Sequence, residues 1–272
     1  MLSLMAEMHK QVLERLHLEH DLRHALKGGE LQLFYQPIFH LKSQQLVGME
    51  ALVRWQHPER GLVSPAHFIP IAEETGLIVA LDQWILERAC RQLWTWQRQS
   101  DIAADLRLSV NVSAKTLQDA TFFKYLDTLQ QRYPLPRGQL LLELTERIGI
   151  ELGSEILSLL ELLRDRDIEI SIDDFGTGYS CLSYLHSLPI QHLKVDRSFI
   201  SQLEENERNV QITRMILLLS QQLGYRSIAE GIETPRQLQI LQELGCDYGQ
   251  GYLFAPPLPP EEFEWLLKAY SH

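Results

Sequence analysis

The rhythm of this chain constrains it most: short apolar runs of strand length recur between longer stretches of helical periodicity. Strand-like runs fall at 31–39, 47–55, 106–113, 140–147, 168–176, 192–200, 225–233 and 248–255. Helical patterns fill the gaps at 65–77, 81–99, 114–132, 152–166, 179–187, 204–223 and 235–244, and a last one covers 261–270. The first two runs are an exception, because only His40 to Leu46 separates them. A link that short has no room for a crossover helix, so these two strands pair antiparallel. Eight strands at mostly βα spacing, without a long Pro/Gly/Ser linker, predict an α/β fold: one (β/α)8 TIM-type barrel with one antiparallel strand. An open doubly wound sheet is the competing arrangement. Ahead of the barrel, residues 3–27 read as a helix carrying Met5, Met8, Val12, Leu16 and Leu22 and ended by Gly28 and Gly29. The expected organisation is therefore residues 1–27 as an N-terminal helix and 28–272 as the barrel. The helix either caps the barrel floor or serves as a linker from an upstream domain.

Charge narrows the partners. The 25 Lys and Arg against 36 Asp and Glu leave a net charge of −11, with no basic run, so a DNA or RNA polymer would be repelled. Cys90, Cys181 and Cys246 lie far apart without a C-x-x-C, which suits neither a disulfide framework nor a zinc knuckle and fits a cytoplasmic protein. The sequence offers no run long enough for a membrane segment.

In a barrel of this class the βα loops at the C-terminal ends of the strands line the mouth, and reacting groups collect there. The polar residues fall accordingly: Glu50 and Arg54, Asn111, Glu143 and Glu146, Asp173 and Asp174, Lys194 and Asp196, Glu230 and Glu233, then Gln250. Period-two alternation puts Lys194 and Asp196 on one face, whereas Glu143 and Glu146 face opposite ways, so one of that pair serves a loop. If Glu50, Glu143, Asp173, Asp174, Asp196 and Glu230 converge, each close pair repels by roughly 4 kcal/mol at about 4 Å and an effective dielectric near 20. Lys194 and Arg54 offset two of the six charges; either several acids are protonated or divalent cations balance the rest. Oxygen ligands suit Mg²⁺ or Mn²⁺, and two such ions form the usual clamp for a phosphodiester. Paired carboxylates in a barrel also suit a glycosidase, but that reading leaves Asn111, Asp173, Asp174 and Lys194 without a task. No H-E-x-x-H or G-x-S-x-G motif is present.

The stretches QPIF at 36–39, EALVRW at 50–55, NVS at 111–113, ELTE at 143–146, DDFGTGYSCLSYL at 173–185, KVD at 194–196, AEGIET at 229–234 and QGYLF at 250–254 occur in this order. Together they resemble the EAL family of cyclic di-GMP phosphodiesterases. The resemblance implies a barrel with one antiparallel strand and Mg²⁺- or Mn²⁺-dependent opening of cyclic di-GMP to linear pGpG, with Ca²⁺ inhibitory. It implies that Glu50, Asn111, Glu143 and Asp173 hold one metal and that Asp173, Asp174 and Asp196 place a second. Lys194 would touch the attacking water and Glu230 would be the general base. Gln36 and Arg54 would bind substrate, Glu146 and Glu233 would brace the loop after residues 168–176, and Gln250 would complete the metal site. Relatives that lose a metal ligand survive as catalytically silent receptors, which is the alternative function; here none of the matched ligands is missing. The resemblance also implies a homodimer through the region after DDFG, where Phe175, Tyr179 and Tyr184 either contribute or belong to the core, and an upstream sensory or GGDEF domain.

Overall fold

The computed structural model describes residues 2–99, 104–148, 150, 153–177 and 185–270, with side chains of the first helix described from residue 14 onward. Its strands are β1 (Leu31–His40), β2 (Leu46–His57), β3 (Gly61–Val63), β4 (Arg107–Asn111), β5 (Leu140–Thr145), β6 (Glu169–Phe175), β7 (His192–Val195), β8 (Arg226–Ala229) and β9 (Tyr248–Gly249). The sheet runs β1-β9-β8-β7-β6-β5-β4-β2-β3, and an additional β1–β2 pairing closes it into an eight-stranded barrel. The open doubly wound sheet is thereby excluded. β1 is the reversed strand, antiparallel to both β2 and β9, while the remaining barrel pairs are parallel. The short link expected to force this is a tight turn in which the Gln44 amide donates to His40 O at 2.8 Å and Gln44 adopts φ 55°. β3 pairs with the part of β2 that continues beyond the barrel.

Registers determine which polar side chains meet. Gln36 lies opposite Glu50, Glu50 beside Ser109, Asn111 beside Glu143, and Thr145 beside Asp173. Neighbouring residues at matched register point to the same face, so these side chains are delivered to one end of the barrel interior. The outer faces are apolar and packed: helix Ile78–Gln97 buries Leu81, Ile85, Leu86, Ala89 and Leu93, and helix Pro65–Thr75 buries Phe68, Ile71 and Ala72. The Tyr35, Trp96 and Phe263 rings contact one another at 5.0–5.9 Å between centroids and fasten the C-terminal helix, Pro260–Ala269, to β1.

Several boundaries differ from the sequence reading. Runs expected as long strands end early: β7 stops at Val195, β8 at Ala229 and β9 at Gly249. Local apolar patterning marks which residues are buried but not where the ladder of backbone hydrogen bonds ends. The helical stretch 114–132 is two helices, Ala114–Gln118 and Phe122–Arg132, separated at Asp119, whose side chain takes the Thr121 amide at 2.9 Å. Most of the helix expected at 179–187 lies outside the described residues.

The N-terminal helix spans Leu2–Gly28 and buries Leu18, Leu22 and Ala25 in the main core. Its Asp21 meets His57 at 3.1 Å, at the C-terminal end of β2, so this part of the helix packs beside the mouth end of the β1–β2 hairpin. Among the described residues no helix is long and apolar enough to cross a membrane.

Candidate metal centre at the barrel mouth

Lys194 organises the site. Projected inward from β7 and fully buried, its ammonium lies 2.6 Å from Glu143, 2.6 Å from Glu230, 3.4 Å from Glu50 and 3.4 Å from Asp173. Amides knit the ring together. Asn111 Nδ2 donates to Glu50 Oε1 at 2.8 Å, and Gln250 Nε2 donates to Glu50 Oε2 at 2.6 Å and to Glu230 Oε1 at 3.1 Å. Four carboxylates from β2, β5, β6 and the segment after β8 thus share one ammonium.

The electrostatic consequences differ from one acid to the next. Burial acts against ionisation of Glu50, but Lys194, Gln250 and Asn111 together overcome it and hold its carboxyl below the ordinary range. Glu143 is pushed well up by burial and by the charge of Glu50, against the attraction of Lys194. Glu230 rises to about 8, mainly through burial, opposed by Lys194, with Asp173 and Glu50 adding repulsion. Burial disfavours the ammonium of Lys194, yet the surrounding acids hold its pKa well above the usual value. One positive charge is insufficient for this many acids.

Asp173 and Asp174 are consecutive, so a regular strand would aim them apart. β6 resolves this with an irregularity in its pairing with β7 between Ile172 and Phe175 and with φ 55° at Asp174, a left-handed conformation that is uncommon outside glycine. Donor oxygens of Asp173, Asp174 and Glu230 consequently all lie within 4.8 Å of one another. Burial, then the charges of Asp173 and Asp196, lift Asp174 to about 6. Asp196 reaches this group by a different route from strand alternation. It is the N-cap of helix Arg197–Ile200, accepting the Ser198 amide at 2.9 Å.

The donor set fits a hard divalent cation. All ligating atoms are oxygens, and two of them, Glu143 Oε1 and Gln250 Oε1, are buried without a hydrogen-bond partner among the described residues. A cation is the natural partner for such acceptors. Among the described residues, Asp173, Asp174 and Glu230 form a group able to hold one.

The other expected residues lie around this centre. Glu146 turns away from it, as the spacing from Glu143 required, and accepts the Gly176 amide at 3.1 Å in the loop after β6. Glu233 is exposed and pairs with Arg197 at 3.0 Å, in the segment after β7; the rest of the loop after β6, 178–184, lies outside the described residues. Gln36 is buried opposite Glu50, its Nε2 3.4 Å from Ala255 O. Arg54 corrects the charge count made from sequence, because its guanidinium binds Val53 O at 2.9 Å and lies 5.7 Å over the Phe34 ring instead of pairing with the acids. The neutralising contacts in the cluster come from Lys194. Arg54 instead borders a cavity of about 270 Å³ whose lining includes Pro65, Ile69, Asp82, Asn111 and Glu143. Phe175 is buried in the core, so it is not an exposed dimer contact; Tyr179 and Tyr184 lie outside the described residues.

Sequence reasoning missed Asp82, which is buried beside this cavity and accepts the Ser113 amide and the Thr116 hydroxyl. The signal was an acid within the apolar stripe of helix 78–97. It also missed Gly251, where any Cβ would collide with the Ile232 backbone and displace the turn that follows Gln250.

The comparisons agree with this architecture. The EAL domain family matches residues 19–257. The cyclic di-GMP phosphodiesterase NbdA of Pseudomonas aeruginosa is 42% identical over 259 residues, which are 94% of this chain and 33% of NbdA. The bifunctional diguanylate cyclase/cyclic di-GMP phosphodiesterase MucR of the same species is 40% identical over 257 residues, 94% of this chain and 37% of MucR. This chain spans about a third of the length of these curated relatives. Among solved structures, the PaMucR phosphodiesterase in complex with c-di-GMP matches with a TM-score of 0.86 at 40% identity, over 91% of this chain and 99% of that one. The EAL enzyme Bd1971 with cAMP and cyclic-di-GMP bound matches at 0.89 and 35% identity, over 94% of this chain and 70% of that one. A barrel closed by one reversed strand, an acid ring around a buried lysine and a family match over most of the sequence lead to one assignment: the chain belongs to the EAL domain family.

Proposed function

We propose that this chain is a metal-dependent phosphodiesterase that hydrolyses cyclic di-GMP to linear pGpG. The observation that carries the reading is the excess of carboxylates around Lys194, with Glu143 Oε1 and Gln250 Oε1 left as buried acceptors. Its family and the names of its relatives supply the substrate class. Glu50, Asn111, Glu143 and Asp173 would hold one cation and Asp173, Asp174 and Asp196 a second, with Gln250 completing the site. Bound Mg²⁺ or Mn²⁺ would supply Lewis-acid charge at the phosphoryl oxygens and lower the pKa of a bound water.

The protein's own groups do the rest. Glu230, bonded to both Lys194 and Gln250, is placed to take the proton of the attacking water, and the ionised form it needs is favoured by every added positive charge. Lys194 keeps its proton, orients that water and stabilises charge developing at phosphorus. Arg54 binds the phosphate of the substrate by a charge-assisted contact, and Gln36 contributes a further polar contact. Glu146 would brace the loop after β6 through the Gly176 amide, and Glu233, proposed to brace the same loop, pairs with Arg197 after β7. Ca²⁺, larger and more permissive in its coordination, would compete for the same carboxylates and inhibit.

The same proposal includes a cytoplasmic setting, a homodimer through the region after β6, residues 1–27 as a linker, and an upstream sensory or GGDEF domain. The greater length of the relatives supports the last of these. Incubation with cyclic di-GMP, with and without Mg²⁺ or Mn²⁺, followed by chromatography tests the activity. pGpG formed only with the cation is the expected result; binding without turnover under every divalent ion would make the chain a receptor.

A further inference from the structure

We propose that Asp82 is a positioning residue that fixes Asn111, and through it Glu50, in the mouth cluster. The inference rests on the function proposed above. Asp82 belongs to helix Ile78–Gln97, outside the barrel, and is 3% exposed between Leu81, Ile85 and Leu86. An aliphatic side chain would suit that buried stripe better, because an ionised group out of water needs compensating bonds. The carboxylate finds them in the turn after β4: Oδ2 accepts the Ser113 amide at 2.9 Å and the Thr116 hydroxyl at 2.7 Å.

That turn directly follows a cluster residue. β4 ends at Asn111, the Val112 amide donates to Glu143 O at 3.0 Å, and Ser113 caps the next helix by accepting the Thr116 amide at 3.2 Å. Residues 111–113 are therefore held from two sides, by the β5 ladder and by Asp82. Asn111, which is exposed to the mouth, passes this placement on through its 2.8 Å bond to Glu50. Without the Asp82 acceptor the Ser113 amide would lose its partner and the buried Thr116 hydroxyl would keep only the Ser113 hydroxyl, 2.9 Å away, so the turn would shift to reach water. Asn111 sits two residues from the point of release. Groups that hydrogen-bond a cation ligand commonly set its affinity, and Asp82 acts on one such ligand through the turn.

Calorimetric titration of the full chain with Mn²⁺, alongside cyclic di-GMP kinetics, tests the assignment. Asp82→Ala weakens Mn²⁺ binding about tenfold, and Asp82→Asn, whose carbonyl oxygen can accept both hydrogens, stays within about threefold of the parent. Leu241→Ala, a core truncation in helix Pro235–Glu243, lowers the melting temperature without moving the Mn²⁺ affinity. Should Asp82→Ala not fold, Thr116→Val decides: it removes one of the two donors with little change of shape and weakens Mn²⁺ by about threefold. Three results overturn the inference while leaving the proposed function intact: unchanged Mn²⁺ affinity in Asp82→Ala or, where that does not fold, in Thr116→Val; equal weakening in Leu241→Ala; or equal weakening in Asp82→Asn, which would indicate a charge effect. Absence of Mn²⁺ binding by the parent chain overturns the proposed function and this inference with it.

Discussion

At the floor of the barrel, Glu169 faces His192 at 2.8 Å and Arg107 at 4.0 Å, with Arg226 adding positive charge; at the mouth, four carboxylates share the ammonium of Lys194. Each floor residue is the first of its strand, whereas Glu50, Glu143 and Asp173 lie within theirs and Glu230 directly follows β8. The titration directions follow. Burial opposes ionisation of Glu169, but the His192 hydrogen bond and the two arginines hold its carboxyl below the usual range. Glu143 and Glu230 are instead driven up. The fold therefore neutralises a carboxylate where it only needs a plug, and at the mouth it leaves a surplus of negative charge that a ligand must complete.

The contrast breaks most visibly in catalysis. Glu230→Gln should lower the initial rate of cyclic di-GMP hydrolysis by about 10³-fold while nucleotide binding persists, and Glu169→Gln at the floor should change it by less than about threefold. Comparable losses from both would show that the two ends are not functionally distinct. A smaller effect belongs to the rim. Arg54→Ala should raise KM by about 10- to 100-fold, more than it lowers kcat, and Arg54→Lys should recover only part of it, because a point charge does not reproduce the planar fork.

Smaller again is the difference in pH dependence, read from urea unfolding in the presence of a chelator. Glu230 binds its proton more tightly in the folded state, about 8 against the ordinary 4.5, so the cation-free protein loses stability as pH rises through that window. Removing the carboxylate in Glu230→Gln should flatten this slope, by ~2 kcal/mol once coupling to Lys194 is allowed for. Glu169 and His192 are both depressed, and their sign is opposite: stability is present at neutral pH and is lost on acidification, below the ordinary 6.5 for His192 and 4.5 for Glu169. Glu169→Gln should remove ~1 kcal/mol of that acid limb. Slopes of one sign in both variants would refute the distinction.

The residues that made this molecule legible act locally. A seven-residue link fixed the reversed strand, and acids at the ends of apolar runs fixed which end of the barrel is reactive. What escaped the sequence depends on where a hydrogen-bonded ladder stops or slips. Asp196 looks like a strand residue until β7 ends one position earlier and makes it a helix cap. Asp173 and Asp174 share a site only through a pairing irregularity that no periodicity encodes. Arg54 was counted among the neutralising charges because sequence records its charge and not its direction, and Asp82 shows its partners only when a helix 31 positions earlier packs on the turn at Ser113.

Titration of the cation-free protein with Mn²⁺ at neutral pH, in two buffers of different ionisation enthalpy, tests the central claim most directly. The uncompensated mouth predicts saturable uptake accompanied by proton release, since Glu230, lifted to about 8, holds a proton that a cation would displace, and Glu143 is shifted in the same direction. No saturable heat, or uptake with no difference between the buffers, would contradict it.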